Sequence, residues 1–211
     1  MKMKRAMTWV CTLLLWVSAC SDDDPLLRVN VMTDFVPNVE FSEITIQVQD
    51  RVSTYTVQPA DDFLDGVAVA TLTESFGGDV TIVGTLFDAS GNRVMQQTVL
   101  ARVAERAAVT VRLFRGCADV VCPSAGNPAA TACNNGVCVD PACSPDNPEA
   151  CGETLCVDDG DCPSVVAECG ATRCRSGSCV FLPNDTCASD EACVPERGCV
   201  SATMPDAGVD I

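Results

Sequence analysis

Ile44-Thr45-Ile46-Gln47-Val48-Gln49 alternates apolar, β-branched residues with polar ones. Side chains on a strand point to opposite faces with a period of two, so one face of this stretch is apolar and the other wet. The same alternation occurs at Leu27, Val29 and Val31, set against Arg28 and Asn30. It returns at Val109, Val111 and Leu113, set against Thr110 and Arg112. Runs at 52–57, 67–73, 79–87 and 93–100 fit the pattern, for about seven strands. Asp88-Ala89-Ser90-Gly91-Asn92 joins two apolar runs as a hairpin loop, and Gly77-Gly78-Asp79 opens a strand. Seven short strands over residues 26–116 predict an all-β fold, an immunoglobulin-like or fibronectin-like β-sandwich. The segment lacks the Cys…Trp…Cys signature of antibody domains. A helix over 99–108 competes locally, because Ala101, Ala104, Ala107 and Ala108 favour helix.

Upstream, Lys2, Lys4 and Arg5 precede an apolar run from Ala6 to Leu15. The run is too short for a bilayer core of roughly 30 Å, and basic start, apolar run and small residues together read as an export signal. Its ending, Val17-Ser18-Ala19-Cys20, resembles the lipobox of bacterial lipoproteins position by position. The resemblance implies cleavage between Ala19 and Cys20, diacylation of the Cys20 thiol with palmitate-type chains, and acylation of the new amino group. Several acyl chains hold a protein on a membrane far more firmly than one. Residues 1–19 are then signal and 20–25 a lipidated acidic spacer with Asp22, Asp23 and Asp24. Ser21 directly after the lipid site points, by analogy with sorting rules, to the outer membrane rather than the inner. The alternative is an ordinary signal peptide that leaves Cys20 as a thiol.

Cleavage after Ala19 lowers the net charge from −16 to −19 and leaves no Lys, His or Trp. Such acidity opposes nucleic acid and anionic lipid headgroups as partners. Without His or Lys there is no Ser-His-Asp or Cys-His catalysis, no Schiff-base lysine, and no His-bound zinc or haem. Only Asp and Glu remain as ordinary general bases. No catalytic constellation emerges, and no cofactor is expected.

The chain has sixteen cysteines; apart from Cys11 and Cys20, all lie between Cys117 and Cys199. These are Cys117, Cys122, Cys133, Cys138, Cys143, Cys151, Cys156, Cys162, Cys169, Cys174, Cys179, Cys187, Cys193 and Cys199. They make up about 17% of that stretch, above the roughly 8–10% that marks a disulfide scaffold. An even count in an exported chain predicts up to seven bridges. The apolar content is thin, so the bridges must supply much of the stability, typically about 2–4 kcal/mol each.

A repeat is visible in this region. Cys122-Pro123-Ser124 recurs at Cys162-Pro163-Ser164, and the run from Cys133 through Gly136 to Cys138 recurs from Cys174 through Gly177 to Cys179. Cys151 and Cys156 parallel Cys187 and Cys193, and Cys143 and Cys169 are among those without counterparts. The repeat predicts two small loop-dominated modules, 117–156 and 157–199, with equivalent cysteines pairing equivalently; spacing alone leaves the connectivity open. Residues 200–211 read as a disordered tail.

Metal binding is the competing use of so many thiols. No C-x2-C pair occurs, although zinc ribbons and many iron–sulfur and redox sites depend on it. The expectation is therefore disulfides and no metal. Two acidic clusters are candidates for calcium loops. Counting from Asp61, the third and twelfth positions of an EF-hand loop fall on Phe63 and Leu72, which offer no carboxylate. Asp158-Asp159-Gly160-Asp161 is too closely spaced for alternating ligands. Both read as acidic turns.

The stretch from Thr33-Asp34-Phe35 to Glu40-Phe41, Arg115-Gly116-Cys117 leading to Cys122-Pro123, and the glycine turns at Gly136 and Gly177 together resemble predicted cysteine-rich surface lipoproteins of myxobacteria. The resemblance implies a surface location and brings little function with it. The cysteine modules also look loosely like EGF-type extracellular modules, with different spacings.

The leading functional expectation is a non-catalytic lipoprotein of the cell envelope that binds a protein or glycan through its stapled head. A second is a tethered inhibitor-like or ligand-like module, which predicts that the cysteine-rich part works when released. A third is a hydrolase relying on paired carboxylates in a sizeable cleft.

Overall fold

The computed structural model describes residues 26–202, apart from 74, 75, 77, 104, 105, 125, 142, 144–146, 154, 164 and 165. The lipobox, the signal cleavage site Ala19–Cys20 and nearly all of the predicted tail lie outside the described residues.

Seven strands build the N-terminal part: β1 (Leu26–Met32), β2 (Glu43–Val48), β3 (Arg51–Thr56), β4 (Val67–Leu72), β5 (Gly78–Phe87), β6 (Arg93–Val103) and β7 (Arg106–Arg112). They form two sheets, β4-β1-β7 and β3-β2-β5-β6. All neighbours are antiparallel except β1 and β7, which run parallel. The molecule has the sandwich architecture of immunoglobulin and fibronectin domains, with a strand order of its own.

The predicted alternation sets the faces. Leu27, Val29 and Val31 on β1 and Ile44, Ile46 and Val48 on β2 are all buried, and they join Val80, Ile82 and Leu86 of β5 in one core. Gly84 brings the sheets close together: a Cβ there would lie 2.9 Å from Val111 Cγ1, across the sandwich on β7. The loop after β5 closes as expected. Asp88 Oδ1 accepts from the N–H groups of Ser90 and Asn92, both at 2.8 Å, and Gly91 takes φ 77°.

The competing helix over 99–108 does not form among the described residues. Val99, Ala101 and Val103 are buried on β6 while Leu100 and Arg102 are exposed. A half-buried pleated face outweighs the helix propensity of scattered alanines.

The cysteine-rich part adds short strands: β8 (Ala132–Asn134), β9 (Val137–Val139), β10 (Val166–Ala167), β11 (Gly170–Arg175), β12 (Ser178–Pro183), β13 (Glu191–Val194) and β14 (Gly198–Ser201). They pair as β8-β9, β10-β11-β12 and β13-β14. β14 reaches Ser201, opposite Glu191, so the ordered chain passes the expected start of the tail at residue 200.

All seven strands of the sandwich alternate in direction, so its two ends differ. β1 starts at Leu26 beside Arg106 at the start of β7. At the other end lie the loops 33–42, 57–66 and 88–92 and the exit of β7 toward Cys117.

Candidate functional site: the stapled head and its clasp on the sandwich

All fourteen cysteines from Cys117 to Cys199 are bridged. The pairs are Cys117–Cys133, Cys122–Cys138, Cys143–Cys151, Cys156–Cys174, Cys162–Cys179, Cys169–Cys193 and Cys187–Cys199. The repeat is real and its cysteines pair equivalently: Cys117–Cys133 with Cys122–Cys138 is matched by Cys156–Cys174 with Cys162–Cys179.

Two expectations are corrected. Cys156 is the counterpart of Cys117 and not of Cys193, and Cys151 closes a small loop with Cys143 that Cys187 does not reproduce. The module boundary therefore falls between Cys151 and Cys156, so Cys156 opens the second module instead of ending the first.

Each repeat is a hairpin with two residues in its loop. Asn135 and Gly136 take φ 51° and 81°; Ser176 and Gly177 take φ 50° and 77°. Two consecutive positive φ values make the turn whose twist matches the flanking strands, and glycine at the second position adopts it without a Cβ penalty. In each hairpin the cysteines lie directly across from each other, Cys133 from Cys138 and Cys174 from Cys179. Each of these four bridges to an upstream cysteine, which ties the hairpin to the preceding loop.

The two hairpins are docked on one another. Asn134 is fully buried; its Oδ1 accepts from Ser178 Oγ at 2.7 Å and its Nδ2 donates to the Gly177 carbonyl at 3.3 Å. Asn135 Oδ1 accepts from Cys179 N–H at 2.6 Å. The modules form one head.

That head is fixed to the sandwich in two ways. The first module joins the main core, with Cys117, Ala132, Cys133, Val139, Cys143 and Cys151 in the same buried cluster as the strands. Gln97, buried on β6, donates to the Cys117 carbonyl at 2.8 Å, and Thr131 Oγ1 both donates to and accepts from the main chain of Leu100.

The second module is held by Asp34. Its Oδ1 accepts from Arg115 N–H at 2.8 Å, and its Oδ2 accepts from Phe181 N–H, on β12, at 3.2 Å. Burial pushes the Asp34 carboxyl above the ordinary aspartate range, outweighing the opposing pull of those N–H groups and of the Arg115 charge. Around it, Arg115 ion-pairs with Glu40 and lies over the Phe35 ring at 4.3 Å. Glu40 Oε2 also accepts from Val36 N–H at 2.8 Å, and Thr33 Oγ1 donates to the Leu113 carbonyl at 2.7 Å. Phe35, Phe63 and Phe181 line a hollow of about 380 Å³ beside this node. An exposed ion pair, Arg175 with Asp65 at 2.7 Å, adds a further tie.

The first acidic cluster is a turn, as expected, and the second is a single turn of 3-10 helix, Asp159–Asp161, capped by Asp158. Asp61 takes the Tyr55 hydroxyl and Gln58 N–H, Asp62 takes Leu64 N–H, and Asp65 faces Arg175. Asp161 accepts from Val157 and Asp158 N–H groups, and Asp159 accepts from Cys174 N–H and Arg173. These bonds hold the Asp159 and Asp161 carboxyls below the usual range. Two triplets of sulfur atoms, Cys156/Cys162/Cys179 and Cys169/Cys187/Cys193, lie within 4.8 Å of one another. Every one of those sulfurs is in a disulfide, and a bridged sulfur has no thiolate to offer a metal.

Asp34, Glu40, Arg115 and Asn134 were not singled out for a role in the sequence, although all four fall within stretches it made conspicuous. Comparisons with protein-family models, curated proteins and solved structures return no match.

Proposed function

We propose that the chain is a lipid-anchored protein of the cell envelope, outer membrane rather than inner, that works by binding and not by catalysis. Lipid on Cys20 holds the chain to the membrane, residues 20–25 lead into β1, and the sandwich carries a disulfide-stapled head that binds an envelope or extracellular protein or glycan. The observation that supports this reading most is the polarity of the sandwich. β1 begins at Leu26 on one end, and the Asp34 clasp holds the second module at the opposite end. An anchor attached six residues before β1 and a second module clasped at the far end put the length of the sandwich between the membrane and that module. Loops on a bridged frame are a common place for recognition.

The surface-lipoprotein resemblance agrees with this reading. The released-module alternative is less well supported, because the first module shares the sandwich core. The testing experiment is fractionation of the wild type and of Cys20→Ala, with the intact mass of each. The wild type should pellet with membranes, start at Cys20, carry acyl chains and gain fourteen hydrogens on reduction, two for each of the seven bridges. Cys20→Ala should be soluble. Membrane association by Cys20→Ala would sink the anchor.

A further inference from the structure

A cleft of about 810 Å³ lies where the two sheets fail to meet. β6 ends one sheet and β7 ends the other, and the two strands share no ladder. The first cysteine module contributes the rest of the wall through Pro128, Ala129, Thr131 and Pro141. The volume is in the usual range of about 300–1,000 Å³ for ligand sites.

Three features of the cleft define its chemistry. First, β6 and β7 treat their edges differently. On β6, Thr131 occupies both the N–H and the carbonyl of Leu100. On β7, among the described residues, no hydrogen bond reaches the outer edge over 107–111. An uncovered edge is a template for one more strand. Second, Arg112 lines the cleft at the C-terminal end of β7, half-buried, with its Nη2 donating to the Cys143 carbonyl at 2.8 Å. Among the described residues it forms no ion pair, and Asp79 on the same wall is taken by Arg102 at 3.0 Å. Burial pulls the Arg112 guanidinium down from its usual range, so the cation is partly stripped of water with no counter-charge among the described residues. Third, Ala101, Ala108, Val109 and Ala129 give walls that are small and apolar, with room for modest side chains.

We propose that this cleft binds an extended peptide with a free carboxyl end. Its main chain pairs with the outer edge of β7, its small apolar side chains fill the cleft, and its terminal carboxylate meets Arg112. Because Arg112 ends β7, the peptide runs parallel to that strand. The fork of the guanidinium suits a carboxylate, and the edge supplies main-chain bonds that an aliphatic acid could not use. This deepens the binding reading above by naming a partner class. It is independent of the anchor, so the two fail separately.

The test uses the full mature chain as the soluble Cys20→Ala protein, with its seven bridges confirmed by mass. The probe is a dye-labelled peptide of alternating alanine and valine with a free carboxyl end, followed by fluorescence anisotropy. Its carboxyl-amidated twin and dodecanoate are the comparison ligands. The free-acid peptide should bind, and the amide should bind about tenfold more weakly or worse. Arg112→Gln should bring the acid down to the level of the amide and leave the amide unchanged. Ala108→Glu places a like charge at an exposed wall position and should weaken the acid peptide with no change in melting temperature. This second variant keeps the test intact if Arg112→Gln folds poorly. Equal binding of acid and amide, binding of dodecanoate without the peptide, or binding of none of the three would each overturn the proposal.

Discussion

Asp34 couples parts of the chain that are 81 and 147 residues apart, through Arg115 N–H and Phe181 N–H. Asp34→Ala would leave both buried N–H groups without an acceptor. A buried donor left unmet costs about 1–3 kcal/mol, so the variant should lose about 2–4 kcal/mol in urea unfolding. A loss under about 0.5 kcal/mol, the size of an ordinary surface substitution, would mean that water or a neighbour takes over. The charge has its own signature. The folded-state pKa of Asp34 is raised above 3.8, so the folded chain takes up a proton at a pH where the unfolded chain does not yet. Stability from this group therefore rises as pH falls through the raised value toward 3.8, the opposite of the usual carboxylate. Asp88, Asp159 and Asp161, with lowered pKa values, contribute stability that is present above 3.8 and lost as pH falls below it. Comparing wild type with Asp34→Asn isolates the first effect, because the other three are common to both. The melting temperature of the wild type should gain on that of Asp34→Asn between pH 7 and pH 4. A gap that stays constant, or moves the other way, would count against the burial argument.

Among the elements, the sandwich strands and the repeated glycine turns could be read from sequence because their signals are local, whereas the short strands β8–β14 of the modules expected to be loop-dominated could not. Ile44, Ile46 and Val48 share a face by period alone, and the Asn135-Gly136 and Ser176-Gly177 turns announce themselves by residue type. Three positions of the duplicated unit could be seen, Cys122, Cys133 and Cys138 against Cys162, Cys174 and Cys179, and equivalent pairing followed, but the match of Cys156 to Cys117 was missed. Cys143–Cys151, Cys169–Cys193 and Cys187–Cys199 could not be assigned, because they belong to no duplicated unit and spacing does not choose among partners. The clasp was hidden for a related reason: nothing near Asp34 in sequence says that β12 will lie over it. Two glycines test the elements separately. Gly84→Ala pushes a methyl to 2.9 Å from Val111 Cγ1 and 3.6 Å from Ile46 Cδ1, in the middle of the sandwich. Overpacking of this kind costs about 1–3 kcal/mol, so the urea midpoint should fall with no change in bridge pairing. Gly177→Ala instead demands a left-handed residue at φ 77° and meets Leu155 Cδ2 at 2.5 Å. Leu155 can swing aside, so the backbone term of about 1–2 kcal/mol remains. Peptide mapping after oxidative refolding should then show mispairing confined to Cys156, Cys162, Cys174 and Cys179. Scrambling that reached Cys117–Cys133 as well would show that the two hairpins do not form independently.

At the scale of the whole molecule, two kinds of stabilisation are divided unevenly along the chain. No bridge lies within β1–β7, which bury a continuous apolar cluster drawn from both sheets. The second module has a cluster of three buried residues, Cys169, Phe181 and Cys193, two of which are the halves of one bridge. The first module is intermediate, held by its own bridges and by a share of the sandwich core. Reduction should therefore dismantle the molecule in order. With a thiol reductant at neutral pH, hydrogen exchange in β11–β14 should lose its protection first, since each native bridge there contributes about 2–4 kcal/mol. β8 and β9 should follow, slowed by Ala132, Cys133 and Val139 in the main core. β2 and β5 should stay protected, because Ile44, Ile46, Val80 and Ile82 owe nothing to a disulfide. Exchange followed by mass spectrometry along a reductant series reads this order directly. If β2 and β5 opened at the same reductant concentration as β11–β14, the head and sandwich would be one cooperative unit. The clasp at Asp34 would then be carrying stability from the bridges into the sandwich.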